Sequence, residues 1–480
     1  MISINNIVDI VFFSVFVYLI IIIIIIVILI LFGVAVFAGK VIEIHNFLFN
    51  KSSTINSDTS VDNLRLVEKK AFYLFCKNKN ISGKILRENM KIRYRSDKKN
   101  KLIKIVFHCL HIKPSSNSKP SSNSKPSVII VHGAFSGPLY FRKLYKELSE
   151  NGHEIFCVSL PGFGESDVSS DFVNLTPSEL ISFYNNYFKT IIKNKTTHPP
   201  IMLGHSFGGF LVTQFCTAFP KLVNSLNVIN AVGIFPFTGV TGVNGSYLGM
   251  IFKSGFPNYY AKIYGKSLNN LLLFINKMST NKHVIENDEE KLFTCWNILQ
   301  MTCIDNIGDI IVSKFINVEL SAYGVYWNKP TIFKLLKASE KLKINLLWGY
   351  FDNIVPVHNA TMFFRISQIK NNIKLYLINS GHDPIYQNKG NDLIVALRHS
   401  FSSNKNNNIV TNKINYRNKL KNQSKIIKLI FEKYKYGTSY TGTPEINIKK
   451  IYKGISKQNN FDNMIFYAIN NGKIKQIIKN

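Results

Sequence analysis

The chain has 480 residues, 46% of them hydrophobic, which allows one large folded domain with appendages and a sizeable core. Its formal net charge of +31 raises nucleic acid as a partner, but no recognition motif accompanies the lysines, so we expect no nucleic-acid partner. A weak attraction to anionic membrane surfaces is the consequence that we expect from this charge.

The first predicted element is a long apolar segment at residues 10–38, which follows a short N-terminal lead at 1–9. About 20 apolar residues span a bilayer, so the segment predicts a transmembrane signal anchor. A cleaved signal peptide is the alternative, but its apolar core is normally about 7–15 residues long and follows a basic start. The lead contains no Lys or Arg, so we expect a retained anchor and a single-pass membrane protein.

Lysines are frequent after the apolar segment and absent before it, which bears on the side of the membrane where the rest of the chain lies. Because positively charged segments next to a membrane span tend to stay in the cytoplasm, we expect the rest of the chain on the cytoplasmic side. The six cysteines are scattered without the spacing of a disulfide framework, which fits a reduced compartment. We expect the endomembrane system as the location.

Residues 39–83 are assigned to a juxtamembrane linker, in which a short helix is expected at 61–75. An antiparallel hairpin is then predicted from strands at 90–95 and 102–112. Residues 113–127 repeat the sequence Lys-Pro-Ser-Ser-Asn-Ser. Such a composition cannot bury apolar surface, so it predicts a disordered loop inserted between two strands.

The second strand of this hairpin carries residue types that can bind metal, namely His108, Cys109 and His111. A structural zinc site needs about four ligands, and no second cluster of ligands accompanies these three in the sequence. We therefore interpret them as ordinary residues of a sheet and predict no metal site.

The central part of the chain contains short apolar strands that each end in a glycine-rich or polar motif. In chain order the motifs are His132-Gly133-Ala134, Pro161-Gly162-Phe163-Gly164-Glu165-Ser166-Asp167, Gly204-His205-Ser206-Phe207-Gly208, Trp348-Gly349-Tyr350-Phe351-Asp352 and Ser380-Gly381-His382-Asp383-Pro384. The third motif is G-x-S-x-G, which places a serine on a sharp strand-to-helix turn. Gly204 and Gly208 suit that turn, because a Cβ at either position would collide with neighbouring backbone.

With these five motifs in this order, the chain resembles the α/β-hydrolase superfamily, in particular its epoxide-hydrolase-like (abhydrolase) members. The resemblance implies an α/β fold with a mostly parallel central sheet flanked by helices. It implies a hydrolase core at 84–231 and 341–402, interrupted by a largely helical cap at 232–340. A basic tail rich in Asn and Lys, at 403–480, remains outside the implied fold.

The resemblance and the chemistry of serine together predict a catalytic triad. A serine hydroxyl needs an adjacent base to act as a nucleophile near neutral pH. We predict Ser206 as the nucleophile, His382 as the base and Asp352 as the carboxylate that orients it, in the chain order that this fold uses. The structural alternatives are a helix N-cap for Ser206 or Asp352 and a surface loop residue for His382. Lesser alternatives for the carboxylate are Asp305, Asp309 and Asp383.

The resemblance also implies how a tetrahedral intermediate would be stabilised. The backbone N–H groups of Ala134 and Phe207 are expected to donate to its oxyanion. His132 and Gly133 are expected to shape the loop before Ala134, and His205 is expected to be structural.

The apolar composition of the implied cap predicts a hydrophobic ester, such as a lipid, as the substrate. The alternative is that its aromatic residues only attach the cap to the core. We therefore predict a cofactor-free, lipase-like serine esterase that forms an acyl-enzyme. A non-catalytic scaffold and an acyltransferase on the same fold are the alternatives. The H-x-x-x-x-D motif of some lysophospholipid acyltransferases is not matched, because Gln387 takes the acidic position.

The tail contains apolar residues at helical spacing between lysines at 420–434, which predicts a basic amphipathic helix. Such a helix could lie on a membrane surface or remain solvated. The sequence does not indicate any particular protein partner.

Overall fold

The computed structural model describes residues 58–96, 99–115, 125–134, 136–166, 168–234, 237–241, 307–319, 324–327, 331–352, 373–386, 390–402, 465–470 and 473–478, with further single positions at 289–300 and 354–360. The predictions for the anchor at 10–38, for most of the repeat loop and for the helix at 420–434 lie outside these residues. None of the described helices is both long and apolar enough to cross a bilayer.

The described strands, in chain order, are β1 (Gly83–Ser96), β2 (Lys99–Ile112), β3 (Val128–Val131), β4 (Ile155–Val158), β5 (Ile201–His205), β6 (Ser225–Ile229), β7 (Phe237–Thr241), β8 (Ile316–Glu319), β9 (Gly324–Trp327), β10 (Lys343–Gly349), β11 (Ile373–Ile378), β12 (Ile465–Asn470) and β13 (Lys473–Ile478). Ten of them form one sheet in the order β1-β2-β4-β3-β5-β6-β10-β11-β12-β13. In this order, adjacent strands from β4 to β12 are parallel. Strand β2 is antiparallel to both β1 and β4, and β13 is antiparallel to β12. The predicted α/β fold with a mostly parallel central sheet is confirmed.

The described helices are α1 (Asp58–Lys79), α2 (Arg142–Glu150), α3 (Pro177–Lys195), α4 (Ser206–Ala218), α5 (Ile307–Ser313), α6 (Ile332–Ala338) and α7 (Asn391–Ser402). Two hydrophobic clusters lie against the sheet, one with residues of α3 and α4 and the other with residues of α1, α2 and α7. Successive residues of β3 belong to different clusters, Ile129 to the first and Ile130 to the second. The central strands are therefore apolar throughout, as parallel strands buried on both faces must be.

Local sequence explains where α3 begins. The Thr176 hydroxyl accepts a hydrogen bond from the Glu179 N–H, and the Glu179 carboxylate accepts one from the Thr176 N–H at 2.8 Å. This reciprocal cap satisfies N–H groups that have no partner within the helix, and Pro177 suits the first helical position.

The predicted antiparallel hairpin is present and is longer than expected. Strands β1 and β2 pair from Gly83 with Ile112 to Ser96 with Lys99, so the turn is shorter than the predicted five-residue turn at 96–100. The helix predicted at 61–75 is also present, as the longer α1.

The assignment of residues 39–83 to a linker needs correction, because α1 belongs to the folded domain. Leu64, Phe72 and Phe75 of this helix are at most 2% exposed and lie in the cluster that includes α2 and α7. The domain therefore begins at α1 and not at Lys84.

The segment predicted as a largely helical cap also contains strand. β7, β9 and β8 form a separate three-stranded antiparallel sheet. These strands are rich in aromatic and β-branched residues, which favour extended backbone. Residues 242–288 of this segment lie outside the described residues, so its overall helical character stays a prediction.

The expectation that the fold ends at residue 402 is wrong. Strand β12 pairs in parallel with β11, and β13 completes the edge of the sheet. Ile469 of β12 is 2% exposed and belongs to the hydrophobic cluster on the α7 side. The segment at 465–478 therefore contributes to the core, even though α7 and a basic, Asn-rich stretch separate it from β11 in the sequence.

Candidate active site

Ser206 lies at the junction of β5 and α4, on the turn that the G-x-S-x-G motif predicts. Its φ of +52° lies in the left-handed region, which is strained for a residue with a side chain and is held there by its surroundings. A Cβ on Gly204 would lie 2.5 Å from a Val212 methyl group, and a Cβ on Gly208 would lie 2.2 Å from the His132 carbonyl oxygen. Both glycines are thus required by close approach, in agreement with the prediction.

The structure brings Ser206, His382 and Asp352 together, although they are far apart in the sequence. His382 Nε2 lies 3.1 Å from Ser206 Oγ, and His382 Nδ1 lies 2.8 Å from Asp352 Oδ2. Because Nδ1 faces a carboxylate, we assign the ring proton to Nδ1, which leaves Nε2 to accept from the hydroxyl. This geometry allows a histidine to act as a general base toward a serine.

Asp352 is fixed in place by its second oxygen. Asp352 Oδ1 accepts from the N–H groups of Ile354 and Val355 at 2.8 and 2.7 Å. The residue therefore caps the turn that follows and contacts His382 at the same time, so the two interpretations of Asp352 are compatible. The neighbouring Asp383 accepts a hydrogen bond from the Tyr140 hydroxyl at 2.6 Å. Asp305 and the side chain of Asp309 lie outside the described residues.

The loop after β3 lies against the nucleophile. A Cβ on Gly133 would lie 3.0 Å from the Ser206 Cβ. His132 Nε2 accepts from the Leu160 N–H at 2.9 Å, so its Nδ1–H donates to the Gly133 carbonyl oxygen at 2.7 Å. Burial lowers the pKa of His132 to about 4, which keeps the imidazole neutral at pH 7. His132 therefore connects the loop after β3 to the backbone at Leu160.

The two proposed oxyanion donors are both near Ser206. Phe207 is its neighbour in the chain, and Ala134 adjoins Gly133, which packs against Ser206. Ala134 follows Gly133 directly, and Phe207 is the second residue of α4, so its N–H lies in the first helical turn. Their role as donors to an oxyanion stays a prediction.

His205 supports the loop that carries the base. Its Nε2 lies 2.9 Å from the His382 carbonyl oxygen, and its ring stacks on Tyr140 with centroids 5.2 Å apart. Burial, together with repulsion by His382, lowers the pKa of His205 to about 4, so the ring is neutral and Nε2–H donates. Tyr140 in turn holds Asp383 in the same loop. Tyr140 is not part of any of the five motifs, and the sequence analysis therefore did not select it.

The interpretation of His108 as a residue without a partner cluster needs correction. His108 Nε2 lies 2.8 Å from a Glu68 oxygen, and Glu165 is close enough that one ligand atom from each of the three lies within 4.8 Å of the others. Arg87 pairs with Glu165, and Arg65 lies 3.5 Å from it, so positive charge already accompanies the carboxylates. We interpret the cluster as a buried ion-pair network and assign no metal to it.

Part of the predicted cap packs on the core next to the helix that begins with the nucleophile. Ile311 of α5 packs closely on Gly162, because a Cβ on Gly162 would lie only 2.6 Å from the Ile311 Cδ1 atom. The ring of Phe315 packs against Phe207 and Phe210, with centroids 5.9 and 5.2 Å apart. For these cap residues, attachment to the core is therefore a demonstrated role.

A cavity of about 640 Å³ lies away from the serine. Its lining includes Leu144 and Leu148 of α2, Ile201 at the start of β5, and Phe401 of α7. Because Ser206 follows the last residue of β5, the cavity lies near the opposite end of that strand. It is not the place where Ser206 would meet a substrate.

The parallel sheet and the serine turn at the end of β5 are features of one class of protein, and comparison with known families agrees. A family model described as alpha/beta hydrolase fold matches residues 126–402, which is more than half of the chain. The chain belongs to the α/β-hydrolase family.

Individual relatives match over shorter stretches. Protein ECM18 of Saccharomyces cerevisiae is 22% identical over 168 residues, which cover 29% of this chain and 37% of that protein. Protein phosphatase methylesterase 1 of Candida albicans is 32% identical over 90 residues, which cover 19% and 24%. The chain thus spans well under half the length of these relatives. Carboxylesterase CesB of Bacillus subtilis, a solved structure, has a TM-score of 0.44 and 14% identity, covering 71% of this chain and 97% of that one.

Proposed function

We propose that this protein is a serine esterase that hydrolyses a carboxylic ester through an acyl-enzyme intermediate. The observation that carries the proposal is the unbroken line of hydrogen bonds from Ser206 Oγ through His382 to Asp352, at 3.1 and 2.8 Å. Family membership alone does not determine a reaction, because this fold hosts many chemistries. The proposal therefore depends on the three side chains.

In the first half of the reaction, Ser206 Oγ attacks the ester carbonyl carbon while its proton passes to His382 Nε2. The carbonyl oxygen becomes an oxyanion, which the N–H groups of Ala134 and Phe207 stabilise. The protonated imidazole lies against the Asp352 carboxylate. The C–O bond to the alcohol then breaks, the alcohol oxygen takes the proton from Nε2, and the acyl group remains on Ser206.

In the second half, water replaces the alcohol. Water attacks the acyl carbon and gives a proton to His382 Nε2, and the same two N–H groups stabilise the second oxyanion. The bond to Ser206 Oγ breaks, the serine recovers its proton from Nε2, and the carboxylic acid leaves. One water is consumed, and one alcohol and one acid are formed.

We further propose a hydrophobic ester, such as a lipid ester, as the substrate. The support is the aromatic and aliphatic composition of the predicted cap at 232–340, whose Phe315 packs against Phe207, the residue after the nucleophile. The name of the methylesterase relative supports an ester as the bond that is broken.

We also propose that residues 10–38 anchor the protein in a membrane of the endomembrane system, with the catalytic domain in the cytoplasm. The support is the apolar composition of this segment and the lysines after it. The full-length protein should stay in the membrane pellet after carbonate extraction, and its release into the supernatant would contradict the anchor.

The esterase proposal is tested with a fluorophosphonate probe and a panel of p-nitrophenyl esters of increasing chain length, using the full-length protein in detergent. The wild type should be labelled and should hydrolyse at least one ester, with longer acyl chains preferred. Ser206→Ala should lose labelling and nearly all turnover while keeping its melting temperature. Ser166→Ala is a suitable control, because Ser166 is a buried serine that donates to the Val106 carbonyl oxygen and lies outside the triad. Equal turnover in Ser206→Ala and wild type would overturn the proposal.

A further inference from the structure

Asn230 is a buried polar residue between the strands that lead to the predicted triad. It directly follows β6, which lies between β5 with the nucleophile and β10 with the acid. The residue is 0% exposed, and its φ of +45° lies in the left-handed region. Asn tolerates this conformation better than most residues, but a buried amide still needs partners for its hydrogen-bonding groups.

The amide group of Asn230 binds both catalytic loops at once. Asn230 Nδ2 donates to the carbonyl oxygens of Gly381 and His382, at 3.0 and 2.8 Å. Asn230 Oδ1 accepts from the Gly349 N–H at 2.7 Å. Gly349 ends the strand before Asp352, so one side chain connects the acid loop to the base loop.

Asn230 lies beside a close approach of the two loops, which backbone hydrogen bonds from Tyr350 to Ile378 and from Phe351 to Ser380 also join. A Cβ on Gly349 would lie 2.0 Å from the Gly381 carbonyl oxygen, so the backbones are in direct contact there. The Asn230 N–H also donates to the Leu347 carbonyl oxygen at 3.1 Å, which ties the end of β6 to β10. A small change at Asn230 would therefore move His382 relative to Asp352 and Ser206.

We propose that Asn230 is a positioning residue that sets the distance between His382 and the other two members of the triad. The proposal rests on the esterase function proposed above. Displacing a catalytic group by about 1 Å can cost about 10²-fold in rate. The role is specific to the amide, because only a group that both donates and accepts can satisfy the two carbonyl oxygens and the N–H.

Asn230→Gly removes the amide and keeps a backbone that tolerates the positive φ. We expect kcat to fall by about 10- to 100-fold with little change in KM, because the lost hydrogen bonds all lie on the two triad loops and none involves the predicted cap. The number of folded active sites is measured by fluorophosphonate titration, and kcat is expressed per labelled site.

Asn230→Asp keeps the shape of the side chain. It should also make kcat depend on pH in a way that a purely structural role would not produce. Burial against two carbonyl oxygens raises the pKa of the introduced carboxyl above its usual value of about 3.9. The protonated acid donates to one carbonyl oxygen, whereas the ionised form repels both. The kcat of this variant relative to wild type should therefore fall as pH rises through that pKa. The other titratable groups around it, His205, His382 and Asp352, are present in both proteins, so the ratio reports the new carboxyl, through its own hydrogen bonds and through its charge on these neighbours.

Asn227→Asp is the matched control. Asn227 lies on β6, three residues before Asn230, is also 0% exposed, and accepts from the Asn345 amide at 2.8 Å without touching either catalytic loop. It should lower the melting temperature and leave kcat per labelled site unchanged at every pH. If Asn230→Gly fails to fold, the pH ratio for the isosteric Asn230→Asp decides the question.

The outcomes for the two proposals can be told apart. A wild type without labelling at Ser206 or ester turnover defeats the esterase proposal itself. An active wild type whose Asn230→Gly variant keeps full kcat per site, or whose Asn230→Asp ratio is flat with pH, defeats the positioning role of Asn230 alone.

Discussion

Replacement of Asp352 by Asn tests whether the carboxylate determines which nitrogen of His382 carries the proton. The side-chain oxygen that accepts from Ile354 and Val355 would remain, so the turn after β10 should keep its structure. The new amide nitrogen would then face His382 Nδ1, where two N–H groups would meet. The ring is expected to change tautomer, so that Nδ1 accepts from the amide and Nε2 carries the proton toward Ser206.

In that tautomer Nε2 cannot accept the serine proton, so the expected loss is large. Such changes in serine triads cost about 10⁴-fold in turnover, which corresponds to about 5 kcal/mol of transition-state stabilisation. The assay is steady-state hydrolysis of the best p-nitrophenyl ester at pH 7.5, with the melting temperature measured in parallel.

The adjacent carboxylate provides the control. Asp383→Asn keeps an oxygen that accepts from the Tyr140 hydroxyl, so it should cost no more than about tenfold, the effect of weakening one charged hydrogen bond. Retention of more than a tenth of wild-type kcat by Asp352→Asn, or equal losses in the two variants, would refute the reasoning.

Three further predictions follow from buried contacts. Gly208→Ala should unfold the nucleophile turn or abolish fluorophosphonate labelling, because its Cβ would lie 2.2 Å from the His132 carbonyl oxygen; normal labelling would contradict this close approach. His132 and His205 have pKa values lowered to about 4, below the usual value of about 6.5 for histidine. Their contribution to stability is therefore complete above pH 6.5 and is lost as pH falls through 4, so the melting temperature of His205→Gln should depend less on pH in that range than that of wild type. Removal of residues 465–480 should lower both the melting temperature and kcat, because Ile469 of β12 accepts from the Asn379 N–H at 3.2 Å near the base loop; a truncated protein with wild-type values would show that β12 and β13 are dispensable.

Features encoded by neighbouring residues could be predicted from the sequence. Apolar strands such as β3 and β5 end in motifs whose glycines are explained by contacts within a few ångströms. These local patterns were sufficient to identify the fold and to select Ser206, Asp352 and His382. The roles of these three residues stay predictions until they are tested by mutation.

Features that depend on contacts between distant residues could not be predicted in the same way. Glu68 and His108 are brought together only by the packing of α1 on the sheet. Strands β12 and β13 are short and follow a basic stretch that resembles a solvated tail, and only pairing with β11 determines their position. Asn230 had one available signal, which is that polar residues at the carboxyl ends of parallel strands often lie at functional sites.

The position of β12 beside β11 has a consequence for biosynthesis. The strand that leads to His382 is made about 90 residues before its neighbour β12 is complete, an interval of roughly 5–20 s at 5–20 residues per second. During that interval β11 has an unpaired edge, and such edges invite pairing with other chains. Nascent chains are therefore expected to need chaperone protection, and they should become active only after translation has reached the last strand.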